Sequence, residues 1–100
     1  MVTTVEEIDG KLVVTLEGEM DTVAVMDAEE ILKPLYNTGG KDIVIECGKL
    51  VYIASSGLRI FLSILRGATD GGYSVTLRHV NEEIKMVFNM IGFVKIFNFE

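Results

Sequence analysis

Tyr52-Ile53-Ala54-Ser55-Ser56-Gly57-Leu58-Arg59 is the stretch that decides the fold. On its left is a short apolar run, Asp42 to Cys47, that reads as a central strand. On its right is a strongly apolar helical run containing Leu58, Ile60, Phe61, Leu62, Ile64 and Leu65, with Arg59, Ser63 and Arg66 as its wet positions. That pattern predicts a helix to about Arg66, buried along most of its circumference. Serine favours the N-cap, because its oxygen can accept from a free N–H of the first turn, so Ser55 or Ser56 is expected to cap this helix. The same free N–H groups and the helix dipole stabilise an anion, so a phosphate added to one of these serines can be held without breaking the helix. From these residues alone, capping of a core helix is the simpler reading.

Working outward, Val2 to Glu7 reads as an edge strand and Asp9-Gly10 as a tight hairpin turn. Lys11 to Glu19 alternates, with Leu12, Val14 and Leu16 on one face, and Gly18 predicts a bend near its end. Asp21 or Thr22 caps the next helix, whose buried face is expected at Ala24, Ala28, Ile31 and Leu35. Glu29 and Lys33 have the spacing and order of a favourable helical pair. Pro34 predicts a kink or a tighter last turn between Glu30 and Leu35, and Gly39-Gly40 ends the segment. After the central helix, Gly71-Gly72 turns the chain into a strand with Tyr73, Val75 and Leu77 on one face. Asn81 then caps a third helix with Glu82 and Glu83 in its first turn and Ile84, Val87, Phe88 and Ile91 as its core stripe. Gly92 stands at its C-terminal cap, and Lys95 to Phe99 reads as a last strand. Strands alternating with helices imply an α/β domain over residues 1–100, with a mixed, mostly parallel sheet.

Composition narrows the function. The formal net charge of −6 argues against nucleic acid and anionic membrane as partners, since phosphate binding needs a basic patch. One cysteine, Cys47, allows no internal disulfide, and with one histidine it offers no metal cluster, so a reducing cytoplasmic setting with no metal or cofactor is expected. No uninterrupted apolar run reaches membrane-spanning length, and the acidic start Glu6-Glu7 does not read as a signal peptide. A hydrolase would need Ser55 or Ser56 in a G-x-S-x-G turn, but Ile53 stands at the first glycine position; His79 reads as a packing or connecting residue. Neither glycine-rich nucleotide loop occurs. Met20, Val23 and Met26, three apart at a strand-to-helix corner, read as core, and exposure there would point to a partner site.

Three blocks carry a family resemblance: Leu16 to Ala24, Val44 through Ser55-Ser56-Gly57-Leu58, and Val87 to Phe97. Together the chain resembles the STAS family, and within it the bacterial anti-sigma factor antagonists of the SpoIIAA type. The resemblance implies a sheet of four to five strands with helices largely on one side. It implies a non-enzymatic partner switch with no catalytic residues. The unphosphorylated form binds an anti-sigma factor that is also a GHKL-type serine kinase; phosphorylation breaks the complex and a PP2C-type phosphatase restores it. Ser55 matches the phosphoacceptor, with Ser56 as second choice, and Asp21 matches an acidic residue near it. The docking surface so implied is Met20, Asp21, Thr22 and Val23 with Ser55, Ser56, Gly57, Leu58 and Arg59.

Two stretches depart from the pattern: Ala54 replaces an aspartate common before the phosphoacceptor, and Glu46-Cys47-Gly48 replaces Asp-Leu-Ser. The sequence also ends at Glu100, ahead of a C-terminal helix many relatives carry, leaving one sheet face less covered or met by a second copy in a weak homodimer. Ala54 favours the alternative, a STAS interaction module of a lipid-transport or stress-signalling assembly that is not phosphorylated.

Overall fold

A computed structural model describes residues 1–92 and 97–100. The strands are β1 (Val2–Ile8), β2 (Lys11–Met20), β3 (Ile43–Ile53), β4 (Val75–Arg78) and β5 (Asn98–Phe99); the helices are α1 (Thr22–Leu32), α2 (Ser55–Gly71) and α3 (Glu82–Met90). The sheet runs β1-β2-β3-β4-β5, antiparallel at β1/β2 and parallel elsewhere. Every crossover steps the same way across the sheet, so right-handed connections place all three helices on one face. The burial pattern agrees: Val14, Leu16, Ile43, Ile45, Cys47, Val75 and Leu77 are buried, while the intervening Val13, Thr15, Val44, Glu46, Thr76 and Arg78 are half-buried. This is the expected mixed, mostly parallel sheet, with five strands. Of the last expected strand, residues 95 and 96 lie outside the described residues.

The hairpin turn forms as the sequence predicts, with φ of 53° at Asp9 and 79° at Gly10, the positive pair a two-residue turn demands. Pro34 sits at the start of a 3₁₀ turn, Lys33–Tyr36, which replaces the last turn of α1. That turn also moves the buried stripe. The inward positions of α1 are Val25, Ala28 and Leu32, followed by Leu35, while Ile31 is exposed and Ala24 half-buried. A continuous helix would place Leu35 under Ile31; the tighter 3₁₀ spacing places it under Leu32 instead. Lys33 accordingly pairs with Glu30 at 3.2 Å, and Glu29 accepts from the Tyr36 hydroxyl at 3.5 Å, in place of the expected Glu29–Lys33 pair.

Two elements are longer than the sequence suggests. β3 continues to Ile53 because it accommodates extra residues against β2 between Thr15 and Glu17 and again between Gly18 and Glu19. These bulges break the two-residue period, so Leu50 and Ile53 face inward while Val51 and Tyr52 are both exposed. α2 runs through Gly67 to Gly71, and Gly72 ends it at φ 74°. Ser63 on it is half-buried rather than wet, and Ile91 after α3 is exposed rather than core. The far end of the core is aromatic: Phe61, Phe88 and Phe97 meet edge to face with centroids 5.4, 6.2 and 5.8 Å apart.

Cys47 is fully buried against this core, with its thiol 3.6 Å from the Ile45 carbonyl. Burial, and secondarily the charge of Glu46, pushes its pKa up to about 12 from the ordinary 9.0. Burial first, then Glu29, also raises the Tyr36 phenol. Both acids keep their protons to higher pH when folded, so above about pH 9 the native state binds more protons and stability falls as pH rises. We expect Cys47→Ala to flatten that alkaline decline in urea-unfolding midpoints, and the native thiol to resist thiol reagents at neutral pH.

Candidate functional site

The site is built where two adjacent parallel strands end level. Met20 of β2 pairs with Ile53 of β3, and the Ala54 N–H donates to the Met20 carbonyl at 2.8 Å. Each strand then turns into a helix on the same face of the sheet, so α1 and α2 start side by side. α1 is capped by Asp21, whose Oδ1 accepts from the Ala24 N–H at 2.8 Å. α3 is capped in the same way by Asn81, from the Ile84 N–H at 2.8 Å.

α2 is capped differently from the expectation. The N-cap is Ala54, with extended backbone and no side-chain bond; Ser55 and Ser56 are the first two helical residues. A serine hydroxyl inside the first turn no longer reaches forward to the N2 or N3 amide as a capping oxygen does. The first intrahelical bond runs from the Leu58 N–H to the Ala54 carbonyl at 3.1 Å, so the amides of Ser55, Ser56 and Gly57 precede it. Ala54 therefore occupies the position from which an aspartate would cap the helix. We expect Ala54→Asp to raise the unfolding free energy by about 1 kcal/mol, read as a higher urea midpoint at unchanged slope.

The serines divide. Ser55 is exposed, so an enzyme can reach its Oγ. Ser56 is half-buried, and its Oγ is shielded from solvent with no hydrogen-bond partner among the described residues. Behind them Gly57 is buried: a Cβ there would lie 2.9 Å from Ile53 Cγ1 and 3.0 Å from Met20 Sδ. The helix start is thus pressed directly onto the two strand ends, which fixes where Ser55 sits.

Two residues of the expected docking surface are corrected by burial. Met20 is 0% exposed, because after the bend at Gly18 (φ 106°) it points into the core, and Gly57 is held beneath the helix. They shape the surface without lying on it. Asp21, Thr22, Val23, Ser55 and Arg59 are exposed and Leu58 is half-buried. Apolar side chains are more exposed here than the sequence suggests: Val23 is 72% and Met26 71% exposed on α1, and Tyr52 is 50% exposed near the end of β3. Tyr52 was hidden from sequence reading by the β3 bulges. Glu19, Asp21 and Asp27 line an adjoining cavity of about 340 Å³, which makes its rim acidic.

His79 follows β4 in a left-handed conformation, φ 57°, and its Nδ1 lies 2.7 Å from Glu46 Oε1. Arg78 bridges Glu46 and Glu100 at 3.7 Å each. The ring nitrogen contact is with a carboxylate, as suits a connecting residue. Among the described residues no helix is long and apolar enough to cross a membrane.

Comparison with known proteins places this geometry. The chain is 29% identical over 94 residues to BtrV of Bordetella bronchiseptica, named as a candidate anti-sigma factor antagonist, covering 94% of this chain and 81% of that one. It is 28% identical over 79 residues to the anti-sigma-B factor antagonist of Staphylococcus aureus, covering 79% and 73%. In three dimensions it matches the anti-sigma factor antagonist SpoIIAA in its unphosphorylated form with a TM-score of 0.80 at 20% identity, over 99% of this chain and 88% of that one. The phosphorylated form of Bacillus SpoIIAA matches with 0.77 at 20% identity, over 99% and 91%. The STAS domain model matches residues 3–100, and the chain belongs to the STAS domain family.

Proposed function

We propose that this protein is an anti-sigma factor antagonist, a cytoplasmic partner switch without catalytic chemistry of its own. Unmodified, it binds an anti-sigma factor and so frees the sigma factor. Modified on Ser55, it lets the anti-sigma factor go. The observation that carries this reading is the exposed Ser55 at the first position of a buried helix, with Val23 and Met26 exposed on the neighbouring helix α1. Exposed methionine side chains beside charged ones suit a protein-docking surface. The similarity to proteins named as anti-sigma factor antagonists supports the same role.

The partner in this reading is a GHKL-type kinase that serves as the anti-sigma factor. Ser55 Oγ attacks the γ-phosphorus of ATP held by the kinase, gives its proton to a base there, and ADP leaves. A PP2C-type phosphatase reverses the state by hydrolysis: water cleaves the phosphorus–oxygen bond, the serine is regenerated and inorganic phosphate leaves. The docking residues are Asp21, Thr22, Val23, Ser55, Ser56, Leu58 and Arg59, joined by Met26.

The test is phosphoryl transfer from radiolabelled ATP by a purified GHKL-type anti-sigma factor kinase of the same cell. One phosphate on Ser55 is expected, and none in Ser55→Ala. Undiminished labelling of Ser55→Ala would overturn the assignment of the site. The alternative, an unphosphorylated STAS module of a stress-signalling or lipid-transport assembly, is favoured by one feature, Ala54 in place of the usual aspartate. It predicts no labelling and capture of a transporter ATPase.

A further inference from the structure

Arg59, like Lys11 and Arg66, is an exposed basic side chain that no carboxylate pairs among the described residues, and of the three it alone lies one helical turn from Ser55. Lys33, Lys41, Lys49 and Arg78 each pair with a carboxylate, from Glu30, Glu7, Glu17, and Glu46 with Glu100 respectively, and Lys85 lies over the Phe99 ring at 5.4 Å. Arg59 is exposed and makes no ion pair among the described residues, although the rim beside α1 carries Glu19, Asp21 and Asp27. It also follows Ser55 by four residues within α2. Side chains so spaced are neighbours on one helix face, with Cβ atoms about 5–6 Å apart, and an acid preceding a base is the favourable order.

We propose that Arg59 is the positioning residue of the switch: it is free to meet a carboxylate of the docking partner while Ser55 is unmodified, and it clamps the phosphate once Ser55 carries one. This rests on the reading that Ser55 is the modified residue. A guanidinium presents a planar fork that suits bidentate pairing with phosphate oxygens. The surface change on modification is then twofold. A dianionic group arrives, and the cation that the partner used is withdrawn. The partner that fits is one whose docking face sets an acidic side chain opposite the first turn of α2.

The test needs neither kinase nor partner. Phosphoserine is placed at position 55 by joining a synthetic 47–100 peptide to residues 1–46 at Cys47, and the phosphate is titrated by phosphorus NMR. The helix amides of α2 and the carboxylates of Glu19, Asp21 and Asp27 act alike in every variant, so the comparison isolates Arg59. The second phosphate ionisation is expected about half a unit lower with Arg59 than with Arg59→Gln, and the gap should close in high salt. Arg59→Lys, a point charge without the fork, should retain part of the shift. Coincident titrations of wild type and Arg59→Gln, with both circular dichroism spectra native, would overturn the clamp. A clamp seen in a protein that binds no anti-sigma factor would stand while the docking reading fell, so the two are separable.

Discussion

Gly67→Ala is expected to lower the unfolding free energy by about 2–4 kcal/mol, although alanine is the better helix former by about 1 kcal/mol. The contest is decided by what the new methyl meets. A Cβ at Gly67 would lie 1.8 Å from the Tyr36 carbonyl oxygen and 2.7 Å from its carbon. Both are main-chain atoms, so no rotamer change relieves the overlap. Either α2 or the 3₁₀ turn must retreat, and the turn carries Leu35, which is 1% exposed beside Leu32. Gly71→Ala is the control. Its Cβ would meet the Tyr73 ring at 2.4 Å, a side chain that can swing away, at the loss of its bond from the Thr38 N–H at 3.1 Å. The ordering expected in urea denaturation is wild type, then Gly71→Ala, then Gly67→Ala. For a domain of this size the last should also melt roughly 10–25 °C lower. A Gly67→Ala protein as stable as wild type would mean that the helix and the turn are not packed this closely.

Gly67 also shows what a sequence conceals. Read locally, a glycine near position 66 suggests the end of a helix, and α2 was expected to stop there. Its purpose is a close approach between elements that are thirty residues apart, and no local pattern encodes that. The phase of α1 was misread for a related reason. Ala24, Ala28 and Ile31 make as regular a stripe as Val25, Ala28 and Leu32, and only the tightened turn at Pro34 selects the second. The β3 bulges erased the alternation that would have carried the strand to Ile53 and revealed Tyr52. What was legible was chemistry confined to a few neighbouring residues: the Asp9-Gly10 turn, the Asp21 and Asn81 caps, and the apolar run that makes β3 central. That Ser55 stands at the start of α2 was legible as well, but its place inside the first turn was not. Ala54 has no side-chain group with which to announce an N-cap.

A phosphate on Ser55 is expected to weaken binding to the anti-sigma factor roughly a hundredfold while leaving the fold intact. The two halves of this expectation have separate causes. In the free protein Ser55 is exposed at the start of α2, so the added charge of about −1.5 to −2 remains hydrated and lies at the favourable end of the helix dipole. Circular dichroism and the urea midpoint should therefore be unchanged or slightly raised. Docked as proposed, the protein would carry the same phosphate into the interface, where it must shed water beside a rim that holds Glu19, Asp21 and Asp27. A desolvation and repulsion cost of about 3 kcal/mol corresponds to the hundredfold loss. Ser55→Ala should bind as the unmodified protein does but fail to switch. Ser55→Glu, with one charge on a longer stem, should lose less than the phosphate. Calorimetry of each form against the purified anti-sigma factor decides the matter. A phosphorylated protein that binds within threefold of the unmodified one would show that the partner docks elsewhere, since a dianion cannot be buried at this helix start without that cost.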